Sequence, residues 1–234
     1  MKVSVVVPAH NEASTLSECL SSLARQETKH SFEVIIVDNA STDSTASVAN
    51  CWRDRLSLRV VTEPCKGRGA ARCSGFLEAH SDIILSTDAD TVVPADWVDR
   101  LVDALMEVPK AAAVTTSCYI TDGTRFTNWA MRVGMPISLR LYRVVVGHYL
   151  LTGSTFAIYR QAYEAAGGFD RSISMLEDVD LAFRVSRIGV IRYLPTPRVR
   201  TEGDVFRRGY LRGFWHYFLP YLKRYVFPRI DLRR

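Results

Sequence analysis

The chain has 234 residues, 47% of them hydrophobic and 24% charged, the composition of a globular protein long enough to bury one sizeable core. Its five cysteines (Cys19, Cys51, Cys65, Cys73 and Cys118) are odd in number and show no C-x-x-C spacing, which sets aside a disulfide frame and a zinc site in favour of free thiols in a reducing cytosol. Net charge is +5, yet residues 206–234 carry eight Lys and Arg against Asp231 alone, which leaves the first 205 residues at −2.

The opening MKVSVVVPAHNE contains the β-branched run Val3–Val7, which meets Pro8 and Asn11 too soon for a signal peptide and reads as a first strand. Leu16, Leu20 and Leu23 follow at helical spacing. Glu33–Val37 is a second strand ending at Asp38, and Ser41 or Thr42 is placed to cap a helix running to Trp52. Leu58–Val61 is a third strand, followed by Pro64–Gly69 and a helix through Ala79. Asp82–Leu85 is a fourth strand running into Ser86-Thr87-Asp88-Ala89-Asp90, and Pro94–Glu107 is helical. Beyond it come the strand Ala111–Ser117, a helix over Trp129–Leu151 interrupted by Gly134 and Pro136, and the strand Thr155–Tyr159. Helices at Gln161–Ala166 and Glu177–Ile188 precede a last strand, Val190–Leu194.

This alternation predicts a single α/β domain over residues 1–205, with a mostly parallel central sheet flanked by helices, and a helical tail over 206–234. No uninterrupted apolar run approaches the roughly 20 residues of a membrane span. The expectation is a cytoplasmic protein, soluble or peripheral on the cytoplasmic face of a membrane.

In open parallel sheets, ligands bind beyond the carboxyl ends of the strands. Three of the first four strands end there in polar residues: Pro8–Glu12, Asp38–Ser41 and Asp88–Asp90. The third is followed by Lys66-Gly67-Arg68-Gly69-Ala70-Ala71-Arg72, a basic loop at a helix start, suited to phosphate. A rim with acids for a metal and for hydroxyls, and cations for phosphates, suits a nucleotide diphosphate with a divalent ion. Two carboxylates about 5 Å apart repel by roughly 3 kcal/mol at an effective dielectric of about 20, a cost that a bound cation would offset.

Taken singly, each signal is weak. Glu177, Asp178 and Asp180 also read as the acidic first turn of a helix, Asp38 as a turn former, Glu12 as a helix N-terminal acid and Gly153 as a tight bend. GRGAAR departs from the dinucleotide fingerprint, since Arg72 stands where its third glycine is needed and the loop follows the third strand. None of the five histidines falls in a metal-ligand spacing.

Together, VSVVVPAHNE, EVIIVDNASTDST, KGRGAAR, STDADTVVP, TGSTFAIYR, GGFD and LEDVDLAFR stand in the order found in family 2 glycosyltransferases, and the chain resembles that family over about residues 2–190. The resemblance implies the A-type glycosyltransferase fold and inverting transfer of a sugar from a nucleotide-diphosphate donor. By position it implies that Pro8, Ala9 and Glu12 line the nucleotide pocket and that Asp38 contacts base or ribose. Arg72, helped by Lys66, would face the base or diphosphate. Asp88 would lie near the ribose and donor sugar, Asp90 would ligate Mg²⁺ or Mn²⁺, and Asp178 would be the general base. Asn39 stands where many members have a second Asp, and Cys73 where an Asn often follows the Arg. The Gln-x-x-Arg-Trp signature of processive synthases is absent, which favours a single-transfer enzyme.

The tail holds nine aromatics between Phe206 and Phe227. Of these, Tyr210, Phe214, Phe218, Tyr221 and Tyr225 share one helix face, with a kink expected at Pro220. Two readings stand open: a face lying on an anionic membrane, which would make a lipid-linked acceptor reasonable, or a helix packing on its own domain or another subunit. No nucleic-acid module is recognised. Two rival functions remain at this point. A sugar-nucleotide nucleotidyltransferase carries a Gly-rich basic loop straight after the first strand, where this chain has PAHNE. A non-catalytic carbohydrate- or membrane-binding protein is disfavoured by the presence of both Asp90 and Asp178.

Overall fold

The computed structural model describes residues 2–203, 205–206 and 210–226. Arg207, Arg208, Phe227, Arg229, Asp231, Arg233, Arg234 and the Tyr210 side chain, all counted with the tail above, lie outside the described residues. The first half runs β1 (Lys2–Ala9), α1 (Leu16–Ala24), β2 (Ser31–Asp38), α2 (Thr45–Asn50), β3 (Leu58–Thr62), α3 (Arg68–Glu78), β4 (Ile83–Ser86), β5 (Thr91–Val92) and α4 (Trp97–Glu107). The second runs β6 (Ala111–Thr115), β7 (Cys118–Tyr119), α5 (Arg125–Val146), β8 (Phe156–Tyr159), α6 (Arg160–Ala165), α7 (Glu177–Val185), β9 (Val190–Tyr193), β10 (Val199–Thr201) and α8 (Tyr210–Tyr221), which continues into a π-helical turn, Leu222–Val226.

Seven strands form the main sheet in the order β3-β2-β1-β4-β8-β6-β9. β3, β2, β1 and β4 are parallel neighbours, as are β6 and β9, while β8 runs antiparallel to both β4 and β6. The mostly parallel sheet is therefore observed, with one reversed strand, β8, in its interior. Continuous apolar strands buried on both faces explain this: Val5, Val7, Val34 and Ile36 face a core with Leu16, Leu20, Trp97 and Leu101. Their alternates Val6, Ile35 and Val37 face a second core with Phe76, Phe156, Tyr163 and Leu181.

Three differences from the sequence expectations have local causes. A second sheet, β5-β10-β7, escaped prediction because its strands are only two or three residues long. Ser41 and Thr42 do not cap α2. The Ser41 hydroxyl accepts the Asn11 N–H at 3.0 Å, the Thr42 N–H goes to Asn11 Oδ1 at 2.8 Å, and α2 starts later with Asp43 Oδ1 accepting the Thr45 N–H at 3.0 Å. α5 starts before Trp129, where the Thr124 hydroxyl caps it by accepting the Thr127 N–H, runs through Pro136, and ends at Gly147, whose φ of 95° suits a residue without Cβ.

The tail packs on its own domain along one side. Tyr221 meets Tyr142 of α5 edge-on at 6.1 Å between ring centroids, and Tyr225 stacks on Phe183 of α7 at 4.9 Å. Leu211, Phe214, Trp215 and Leu219 remain exposed.

Candidate active site

The loops after β1 and β2 are clamped together at the sheet's carboxyl edge. Besides the Asn11 bonds to Ser41 and Thr42, the Glu12 N–H donates to Thr45 Oγ1 at 2.8 Å, and His10 Nδ1 lies 2.7 Å from the Asn39 carbonyl. Asn11 and Ala40 hold φ values of 57° and 54°, in the left-handed region that non-glycine residues rarely visit. Leu176, just before Glu177 and Asp178, has a φ of 64°. Three of the four such residues in the described chain therefore flank this rim, the clustering expected where backbone strain serves a site. Pro8, Glu12 and Asp38 are half-buried there and Ala9 is buried. Asp38 Oδ1 accepts the Ser41 N–H at 3.3 Å.

Asn39 explains its own departure from the family pattern. Buried at 3% exposure, it donates its amide to the carbonyls of Glu63 at 3.1 Å and Cys65 at 2.7 Å, and its oxygen accepts the Gly67 N–H at 2.8 Å. A carboxylate has no hydrogen to give those carbonyls. The residue thus fixes the loop carrying Lys66, which is exposed at the start of α3. The same loop is braced from the far side of the sequence: Arg171 pairs with the buried Glu63 at 2.6 Å, and the Gly69 N–H reaches the Ile173 carbonyl at 3.1 Å. A Cβ on Gly69 would collide with the carbonyls of Ile173 and Asp170.

At the end of β4, the acids divide into two groups around one arginine. Arg72, 3% exposed, donates from Nη2 to Asp88 Oδ1 at 2.6 Å and from Nη1 to Glu177 Oε1. It is therefore a buried bridge between the two groups, and its guanidinium meets carboxylates at the position where the resemblance implied base or diphosphate. On one side, Asp90 Oδ1 accepts the hydroxyls of Thr91 at 3.2 Å and Thr201 of β10 at 3.1 Å. Burial, then the fields of Asp88 and Glu12, push the Asp90 carboxyl up to about 7. On the other side, Asp178 Oδ2 accepts the Gly153 N–H at 2.9 Å and Oδ1 accepts the Val179 N–H at 2.8 Å. Burial raises the Asp178 carboxyl above its ordinary range against the opposing pull of Arg72. Glu177 is pushed up to about 7 by burial, with Arg72 opposing and Asp178 reinforcing.

Gly153 is more than a bend. A Cβ there would stand 2.6 Å from Arg72 Nη2 and 3.1 Å from Asp178 Oδ2, so only a bare backbone can approach both. Its carbonyl accepts the Ser86 hydroxyl at 3.2 Å. The neighbouring Thr155 accepts the indole N–H of the fully buried Trp97 at 3.0 Å. A strand, a helix and a loop from three parts of the chain thereby fix the Asp178 carboxylate.

The structure thus gathers Glu12, Arg72, Asp88, Asp90 and Asp178 around one another, with Pro8, Ala9 and Asp38 on the same rim and Lys66 on the adjoining loop. Sequence reading missed Thr201, Glu177 as the partner of Arg72, and the contact roles of Gly153 and Asn39. The short β-branched segment Val199–Thr201 was the only trace of the first, and the others arise from contacts distant in sequence.

Among the described residues no three His, Cys, Asp or Glu side chains form a cage for a metal ion. Asp88 has one oxygen engaged by Arg72, and Asp90 one by two hydroxyls. Hard carboxylate oxygens in this number fit Mg²⁺ or Mn²⁺ held jointly with phosphate oxygens and water, the usual mode where one or two carboxylates share the ion with a nucleotide.

The fold has solved counterparts. Residues 1–349 of Staphylococcus aureus TarS in complex with UDP-GlcNAc match with a TM-score of 0.68 at 19% identity, over 87% of this chain and 59% of that one. The mannosyltransferase PcManGT from Pyrobaculum calidifontis, in complex with GDP-Man and Mn²⁺, matches with a TM-score of 0.69 at 24% identity, over 94% of this chain and 64% of that one. The architecture is accordingly the A-type glycosyltransferase fold. In sequence, the probable glycosyltransferase YdaM of Bacillus subtilis is 31% identical over 213 residues, which is 83% of this chain and 49% of its own length. The present chain thus spans about half the length of that curated relative. Residues 4–167 match Glycosyl transferase family 2, and the chain belongs to that family.

Proposed function

We propose that this chain transfers one sugar per binding event, with inversion, from a nucleotide-diphosphate donor to an acceptor hydroxyl or phosphate, using Mg²⁺ or Mn²⁺. The observation that carries this reading is the division of carboxylates about Arg72, with Glu12, Asp88 and Asp90 on one side and Asp178 on the other. TarS with UDP-GlcNAc and PcManGT with GDP-Man and Mn²⁺ support the donor class and the ion by analogy of fold.

Pro8, Ala9, Glu12 and Asp38 bind the base and ribose, with Lys66 reaching the diphosphate from its loop. Asp90 holds the divalent ion, with Asp88 beside it near the donor sugar; when bound, the ion supplies Lewis-acid stabilisation of the leaving phosphate charge. Arg72 acts through Asp88, which it orients, and adds positive field close to the phosphates.

Asp178 takes the proton of the acceptor hydroxyl as that oxygen attacks the anomeric carbon from the face opposite the diphosphate. A raised carboxyl suits this task, because a base is most useful when its pKa lies close to the working pH. Two backbone N–H groups hold its oxygens and so reduce the freedom to be lost on reaching the transition state.

A thermal-shift series with UDP, GDP and CDP, with and without Mn²⁺, tests the donor half. One nucleotide should stabilise the chain strongly and only with metal, and Asp90→Asn should remove the metal-dependent part. Equal, metal-independent stabilisation by all three would count against the proposal. A donor-hydrolysis assay with Mn²⁺ separates a transferase from a silent binding protein, which would release no nucleotide.

A further inference from the structure

We propose that the exposed face of α5, continued by α8, docks this chain on an anionic lipid bilayer. Phe126, Trp129, Val133, Ile137, Leu141 and Val144 recur at steps of three and four along α5, and each is between 42% and 82% exposed. That spacing draws one stripe roughly 27 Å long at 1.5 Å per residue. A contiguous apolar strip of this kind is uncommon on a monomer's surface and marks a place where something is covered. The adjoining α8, joined through the Tyr142–Tyr221 ring contact, adds exposed Leu211, Phe214, Trp215 and Leu219. The described chain has two strongly exposed tryptophans, Trp129 and Trp215, and both belong to these two helices.

Charge selects the occupant. α5 contains Arg125, Arg132, Arg140 and Arg143 and no acidic residue. Three of these guanidiniums lie over tyrosine rings of the body, Arg132 over Tyr119 at 5.9 Å, Arg140 over Tyr193 at 5.3 Å and Arg143 over Tyr149 at 5.0 Å. All four arginines are exposed, and none pairs with a carboxylate among the described residues. Held beside an apolar stripe, they match the headgroup phosphates that border an acyl layer, the arrangement of a helix lying in a membrane interface. A second copy on the same face would bring arginines against arginines with no acid to answer them. No helix of the described residues is long and apolar enough to cross a membrane, so the contact is peripheral.

This inference is independent of the catalytic reading, because vesicle binding requires neither donor nor metal. The test is co-sedimentation of the full chain with vesicles of phosphatidylcholine alone or mixed with phosphatidylglycerol. Binding to the mixed vesicles should be at least about 10-fold tighter and should weaken with added salt. The triple variant Trp129→Ser/Ile137→Ser/Val144→Ser should lose at least about 10-fold in affinity with its thermal melt unchanged, since all three side chains face solvent. Should that variant fold poorly, Arg132→Gln/Arg140→Gln provides a second reading and should lose the preference for phosphatidylglycerol. Absence of binding by the unmodified chain, or binding by the triple variant equal to it, would overturn the proposal. So would a dimer in sedimentation equilibrium that the triple variant abolishes without any vesicle binding.

Discussion

The stretch from β1 to α4 and the stretch from β6 to β10 contribute to one site by different means. In the first, each acid follows a parallel strand, so topology alone brings Glu12, Asp38, Asp88 and Asp90 to a common edge. In the second, the strand next to β4 is reversed, and Gly153, Asp178 and Thr201 reach the site from a loop, a helix start and the short middle strand of the small sheet. Their positions depend on bonds to the first stretch, with Arg72 fastening the two. Under the proposed function, a site built in this way separates a donor side from an acceptor side: the first can be damaged with the second left standing, and the reverse.

The largest expected effect tests that separation. Asp178→Asn should lower kcat by about 10²–10⁴-fold while leaving the donor KM within a few-fold of the original, because the amide keeps the shape but does not accept the proton. Steady-state kinetics with varied donor would read both values, and a variant with most of its turnover intact would remove Asp178 from the role of base. Next in size is Gly153→Ala. Its methyl group would press on both Arg72 and Asp178, and overpacking of this kind costs about 1–3 kcal/mol. Urea unfolding should register that loss, and kcat should fall with it. If only stability falls, Gly153 shapes the fold and not the alignment of Asp178.

A smaller change probes the donor side. Asn39→Asp removes the donor to the Glu63 and Cys65 carbonyls and places a charge in a buried spot. A loss of about 1 kcal/mol in stability is expected, with weaker nucleotide binding measured by calorimetry and little change in the kcat of saturated enzyme. Tighter binding would mean that the loop is better off released.

These contacts mark how far the sequence can be read. Strands of continuous β-branched residues and polar turns at their ends were enough to predict the parallel half of the sheet and the gathering of its acids, because both follow from local pattern and from the geometry of βαβ crossovers. The reversed β8 leaves no local trace, since a four-residue buried strand looks alike in either direction. The Arg72–Glu177 bond joins residues 105 positions apart, and the Thr201–Asp90 bond residues 111 apart. Asp178 was legible only through the ordered set of motifs, for an acidic first turn of a helix has an ordinary explanation in the helix dipole.

Proton binding gives the finest comparison of the two groups of acids. Asp90 moves from an ordinary 3.8 to about 7, and Glu177 from 4.5 to about 7, burial being the largest cause in each. The folded protein therefore holds protons that the unfolded chain has already released. Across the window from roughly pH 4 to 7 the unfolded state binds fewer protons, so stability falls as pH rises through it. A thermal melt of the metal-free chain should accordingly lose midpoint as pH rises from about 4 to about 7. Asp90→Asn should flatten the donor-side part of that slope, and Mn²⁺ with the preferred nucleotide should restore stability at the alkaline end, because a cation at Asp90 replaces the proton. Glu177→Gln should flatten a further part, the rest belonging to the raised Asp178, but gain nothing from metal, since its partner is Arg72. A midpoint that climbs through the same window would mean that both carboxyls are already ionised and fully compensated at low pH, and that burial has been outweighed by the arginine between them.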